Sequence, residues 1–178
     1  MKTFNRRLYR SFGDFLYDMR LVLSNRENIR AMMRSTTLTP AFRERLFLAV
    51  TQVNGCRYCS YFHAQQALTH GVPEEEIRAL SDGLLDTCPA EELTALCYAQ
   101  HWAETDAHPL PEARARLLDT YGQETTAQID LALRMIRIGN LTGNLFDYLL
   151  YRLSFGRIDI NKPPKMGKAG SRRETEFS

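Results

Sequence analysis

The run Thr39-Pro40-Ala41-Phe42-Arg43-Glu44-Arg45-Leu46-Phe47-Leu48-Ala49-Val50-Thr51-Gln52-Val53-Asn54-Gly55-Cys56-Arg57-Tyr58-Cys59-Ser60-Tyr61-Phe62-His63 reads as two helices with a sharp break between them. Thr39 followed by Pro40 is a strong helix start, because proline at the first helical position gives up only an N–H that has no intrahelical partner. Leu46 to Val50 are five apolar residues in succession. They leave this stretch no polar face, so the helix from Pro40 to about Val53 is expected at the centre of the fold. Asn54-Gly55 ends it, and a second helix is predicted from about Cys56 to His70, closed by Gly71.

Working outward, the rest of the chain repeats the helical period. Phe12, Phe15, Leu16, Met19, Val22 and Leu23 recur at three-and-four spacing and predict one helix from Phe12 to about Met33. Pro73 followed by three glutamates restarts a helix after Gly71, the acids suiting the positive end of its dipole. Further helices are predicted over about 90–104, 111–121 and 124–153, with Gly139 and Gly143 in the last marking close packing or a kink. On that helix Asn140, Asn144 and Asp147 read as polar positions facing a subunit boundary. No run shows strand alternation. The expected fold class is all-α, a bundle of about six to eight helices. Residues 1–37 are expected to form a helical extension, 38–156 the core domain and 157–178 a flexible basic tail.

The chain has 178 residues, 44% hydrophobic and 25% charged, the balance of one globular domain. Its net charge of +2 is unevenly placed. Lys2, Arg6, Arg7 and Arg10 stand without an acid at the amino end, and five bases against two acids occupy 161–178, leaving the body acidic. A nucleic-acid-binding domain concentrates positive charge on a folded face, so no nucleic-acid partner is expected. No run is long and apolar enough for a membrane helix, and Ser11, Asp14, Asp18 and Arg20 interrupt any secretory signal. A cytoplasmic location is expected. Four cysteines (Cys56, Cys59, Cys88 and Cys97) are too few for a disulfide-stapled secreted scaffold of this length, and a close pair in a reducing compartment points to redox chemistry or metal.

On a helix, Cys56 and Cys59 are three apart and Cys59 and His63 four apart, so all three share one face. A thiolate can attack an oxidant, its neighbour can resolve the product as a disulfide, and the imidazole can manage protons. A hairpin through Asn54-Gly55 would fold the preceding helix back and bring Glu44 within proton-exchange reach of His63. Three other readings stand beside this one: two buried apolar-like thiols, a zinc site made from the cysteines, His63 and Glu44 or water, and a solvated Glu44 flanked by Arg43 and Arg45. The spacing of all four residues favours redox chemistry, with no metal and no cofactor expected. Cys88, Cys97, His70, His101 and His108 lack such company and read as structural or surface residues.

Arg43-Glu44-Arg45-Leu46, Asn54 to His63 and Gly71-Val72-Pro73-Glu74-Glu75-Glu76-Ile77 together resemble the carboxymuconolactone decarboxylase superfamily. Within it they are similar to the alkylhydroperoxidase D-like branch, whose motif is Glu, eleven residues, Cys-x-x-Cys, three residues, His. The resemblance is clearest over about residues 38–85. It implies a helical fold assembled as trimers or larger rings, a thiol-dependent hydroperoxide reductase activity, and an external dithiol or disulfide reductase as electron donor. By the same resemblance, Cys59 attacks the peroxide, Cys56 is the more exposed resolving partner, and Glu44 and His63 form the proton relay. The decarboxylase branch typically lacks the cysteine pair, so the resemblance points away from decarboxylation. Alkylhydroperoxidase D proper has a second histidine between the cysteines, where this chain has Tyr58. That difference keeps a second function in view, a redox-sensing or partner-binding oligomer with a disulfide switch. Helix-dipole reasoning alone favours Cys56, nearer the terminus, as the more acidic thiol. We assign the attack to Cys59, because a base one turn away is the more specific activator.

Overall fold

The computed structural model describes residues 4–154, in which seven α-helices and one 3-10 turn account for the regular structure and no strand occurs. The all-α expectation therefore holds. The helices are α1 (Phe12–Ser24), α2 (Arg26–Arg34), α3 (Pro40–Asn54), α4 (Arg57–Thr69), α5 (Glu74–Ser81), α6 (Leu93–Glu104) and α7 (Pro111–Leu153). The tail expected over 157–178 lies outside the described residues.

The predicted helix from Phe12 to Met33 is two helices. The chain leaves helical geometry at Asn25 (φ −107°, ψ 34°), whose side-chain amide donates to the Leu21 carbonyl at 2.7 Å. An asparagine side chain that competes for backbone partners ends a helix without disturbing the apolar period on either side, so periodicity alone cannot register the break. At the other end of the chain, α7 turns at Gly122 (φ 73°, ψ 173°), a left-handed conformation that glycine supplies, between the two helices predicted there. Gly139 and Gly143 introduce no such departure.

Helix α3 lies at the centre, packed by α4, α5, α6 and α7. Its apolar positions Leu46, Leu48, Ala49 and Val50 are buried, and so are three consecutive charged residues, Arg43, Glu44 and Arg45. Successive helical residues point about 100° apart, so these three charges reach three different partners. Arg43 donates to the carbonyls of Met32 (3.2 Å) and Leu38 (2.9 Å), tying the α2–α3 connection to the core. Arg45 pairs with Glu76 on α5 and with Glu92 at 3.2 Å. Glu44 turns toward α4.

The amino-terminal residues pack on their own chain. Arg7 donates from its backbone to the Asn54 carbonyl (3.3 Å), and its guanidinium reaches the Ala103 and Glu104 carbonyls at the end of α6. Asp18 of α1, 1% exposed, is held by Arg134 (2.8 Å), Arg137 and the Tyr9 hydroxyl. Buried carboxylates require such partners, and these fasten α1 along α7.

Candidate functional site

The turn between α3 and α4 is built to present the cysteines. Gly55 (φ 74°) closes α3 in the left-handed region, and its N–H returns to the Thr51 carbonyl. Cys56 then occupies the N-cap of α4, with its Sγ accepting from the Cys59 N–H at 3.3 Å. The two sulfurs are joined as a disulfide, with Cα atoms 5.4 Å apart. Helix α7 crosses directly above them at Gly143. A Cβ there would stand 3.0 Å from the Cys56 Sγ and 4.0 Å from the Cys59 Sγ, so this is the close approach predicted for one of the α7 glycines.

His63 Nδ1 lies 2.8 Å from Glu44 Oε2, joining α4 to α3. Both side chains are mostly buried, with 14% and 11% of their surface exposed. The rings of Phe47 and Phe62 meet the imidazole edge-to-face, 5.0 and 5.1 Å between centroids. An ionised carboxylate at Nδ1 fixes the tautomer with its proton on that nitrogen, an inference from the hydrogen bond. Nε2 is then the basic nitrogen, and among the described residues it has no hydrogen-bond partner. His63 stands one turn beyond Cys59 on the same face of α4.

The environments of the two sulfurs differ, and one implied feature is reversed. Cys56, read from the resemblance as the more exposed partner, is 1% exposed, whereas Cys59 is half-buried. Cys59 lines an open groove of about 550 Å³ together with Tyr58, Ile138, Gly139, Thr142, Gly143 and Phe146, and Cys56 does not. The reason is non-local. Gly143 lets α7 sit on Cys56, and the Arg6–Arg7 segment closes over the Asn54–Gly55 turn beside it.

Behind the cysteines lies a charge network that sequence reasoning did not assemble. Asp147, fully buried, accepts from Arg57 Nε (2.9 Å), Arg57 Nη2 (2.7 Å) and the Tyr58 hydroxyl (3.0 Å), and also pairs with Arg6. Burial alone would lower the Arg57 guanidinium, but its hydrogen bond and charge pairing with Asp147 hold it above its ordinary value. Asn144 donates to the carbonyls of Arg7 (2.9 Å) and Asn54 (2.7 Å), and Asn140 accepts from Thr51 at 3.1 Å. These three α7 residues, expected at a subunit boundary, face inward instead and are completely buried. Their spacing of four and then three residues is the signal that could have placed them on the core-facing stripe.

The remaining candidates stay apart from this site. Cys88 is buried beside Arg45, Glu76 and Glu92, and burial, reinforced by the Glu76 charge, pushes its thiol up to about 12. Cys97 is exposed on α6. His70 ends α4, His101 accepts from the Leu110 N–H at the start of α7, and His108 bonds the Asp106 carbonyl. Among the described residues no group of three or more His, Cys, Asp and Glu side chains is placed to hold a metal ion, and no helix is long and apolar enough to cross a membrane.

A helical core carrying a cysteine pair at a helix start, with a buried carboxylate–imidazole pair one turn further on, is an arrangement compatible with thiol redox chemistry. Residues 19–101, which contain all four site residues, match the family model described as Carboxymuconolactone decarboxylase family. The family includes alkylhydroperoxidase D-like proteins. No curated protein matches the chain.

Proposed function

We propose that this protein is a cofactor-free thiol peroxidase that reduces organic hydroperoxides. The observation that carries the reading is the 2.8 Å contact between Glu44 and His63 one helical turn from Cys59, the sulfur that faces the groove. In the reduced state the free Nε2 of His63 takes the Cys59 proton, and Glu44 stabilises the resulting imidazolium. The thiolate attacks the outer oxygen of the hydroperoxide. The O–O bond breaks, the alkoxide leaves as an alcohol after taking the proton from His63, and Cys59 becomes a sulfenic acid. Cys56 condenses with it, expelling water and forming the disulfide that joins the two residues here. An external dithiol returns the pair to thiols. Such a cycle suits a reducing, cytoplasmic compartment. Exposed apolar residues on α4 and α7, Phe62, Phe146, Leu149 and Leu153 among them, fit assembly as a trimer or hexamer.

Cys59→Ser is expected to abolish hydroperoxide consumption, whereas Cys56→Ser retains one reaction and accumulates a Cys59 sulfenic acid visible by mass spectrometry. Full turnover by Cys59→Ser would refute the assignment. Tyr58, whose hydroxyl is engaged by Asp147 at the position of the branch's second histidine, favours a second reading, a redox sensor. Steady-state assays with a dithiol present separate the two, because a sensor oxidises once and stops.

A further inference from the structure

Closing the cycle requires a donor thiolate to attack one of the two bonded sulfurs, and which one is attacked depends on access as well as on the leaving group. Cys56 is 1% exposed, with Gly143 of α7 against its sulfur and the Arg6–Arg7 segment over the preceding Asn54–Gly55 turn, while Cys59 opens on the groove between α4 and α7. We propose that electrons enter this protein at Cys59, so that oxidant and reductant use the same sulfur and the same groove, and Cys56 remains an internal partner throughout. This inference rests on the peroxidase reading only in taking the disulfide to be one that turns over.

The leaving-group side of the exchange agrees with access. When a donor thiolate bonds to the Cys59 Sγ, the Cys56–Cys59 bond breaks and its electron pair departs on the Cys56 Sγ. That sulfur sits at the N-cap of α4 and already accepts the Cys59 N–H at 3.3 Å, a placement that favours a thiolate through an oriented donor and the helix dipole. The donor's second thiol then loses a proton and attacks the donor's own bonded sulfur. It leaves as a cyclic disulfide and releases Cys59 as a thiolate, while Cys56 takes up a proton from water. Two electrons pass from the dithiol to the protein, and Cys59 returns poised at the groove for the next peroxide. Attack on Cys56 would instead require α7 to lift away from its sulfur at Gly143. One mouth for both substrates also predicts that excess dithiol competes with hydroperoxide for the reduced enzyme.

The test uses the oxidised full-length protein and glutathione as the probe thiol, with an acid quench and peptide mapping. Trypsin cuts after Arg57 and so puts the two cysteines on different peptides. Mixed disulfide on Cys59 is expected to exceed that on Cys56 by about tenfold or more, as access-controlled exchange requires. Equal labelling, or a majority on Cys56, overturns the proposal. A second measurement decides the matter even if glutathione adds at neither position. In a Cys97→Ser background, which removes the exposed thiol, reduced Cys56→Ser and Cys59→Ser variants are mixed with an aromatic disulfide reagent. Native Cys59 should react about tenfold faster than native Cys56, and the two rates should converge in denaturant. A slower or equal native Cys59 overturns the proposal. Neither readout involves peroxide. Cys59 labelling without peroxide consumption would therefore refute the peroxidase reading and leave the entry point standing, and the converse result would do the opposite.

Discussion

Glu44→Gln removes one negative charge from the centre of the site while keeping the size of the side chain, so it isolates what the carboxylate does for His63. The oxygen and nitrogen are 2.8 Å apart, which puts the charge centres of a carboxylate and an imidazolium at about 4 Å. At an effective dielectric of about 20 that attraction is about 4 kcal/mol. The two side chains keep 11% and 14% of their surface in contact with solvent, and the glutamine carbonyl can still accept from Nδ1. Allowing about half the attraction to survive through water and the amide dipole leaves a loss of about 2 kcal/mol. At 1.36 kcal/mol per tenfold, this lowers the rate constant for Cys59 oxidation about 30-fold. The assay is single-turnover oxidation of the reduced protein by an organic hydroperoxide, followed by loss of free thiol. His63→Ala should fall further, by about 10²- to 10⁴-fold, the range of general acid–base catalysis. The double variant should be no slower than His63→Ala alone, because a carboxylate that acts through the imidazole has nothing to act on once the ring is gone. A Glu44→Gln protein that retains native secondary structure and reacts within threefold of wild type would refute the relay.

Two further outcomes concern the scaffold. Asp147→Ala removes the buried carboxylate that pairs with Arg6 and Arg57, whose side chains are 11% and 16% exposed. Breaking a fully buried pair costs about 3–5 kcal/mol, and residual solvent at the two guanidiniums brings the expected loss to about 2–3 kcal/mol in urea unfolding; a shift below about 0.5 kcal/mol would contradict the network. Glu92 is raised from 4.5 to about 7, chiefly by burial and against the pull of Arg45. A carboxyl whose folded value is raised contributes stability that is complete below about 4.5 and gone above about 7, because between those values the folded state holds a proton the unfolded chain has released. Wild type should therefore lose about 2–3 kcal/mol relative to Glu92→Gln as pH rises from 5 to 8, and parallel stability curves for the two proteins would rule this out.

Much of this architecture is local enough to be read along the chain. Thr39-Pro40 and Gly55 mark the ends of α3 because cap chemistry acts within a few residues, and the unbroken apolar run of α3 announces its central position. The spacing of Glu44, Cys56, Cys59 and His63 is likewise a statement about two adjacent helices. What escaped depends on partners distant in sequence. Gly143 lies against the Cys56 sulfur and the Arg6–Arg7 segment lies over the turn before it, so no reading of the CxxC neighbourhood alone could rank the exposure of its two sulfurs. Polar side chains are usually found at surfaces, which is why Asn140, Asn144 and Asp147 read as boundary residues. Their burial becomes intelligible only with distant partners in place: Thr51 on Asn140, the Arg7 and Asn54 carbonyls on Asn144, and Arg6, Arg57 and Tyr58 on Asp147. The break at Asn25 fell between two apolar stretches whose phases differ too little to reveal it.

The clasp of Arg6 and Arg7 on the α3–α4 turn bears on how the protein should be handled. The family match begins at Met19, and a fragment trimmed to that boundary would discard one of the two carbonyls that Asn144 donates to and one of the two cations on Asp147. Such a fragment would thin the hydrogen bonding of Asn144 and Asp147 and lay open the turn that leads into Cys56. A shortened version should therefore show a different thiol reactivity from the intact chain, and affinity tags are better fused through a spacer that leaves Phe4 free to stack on Tyr148.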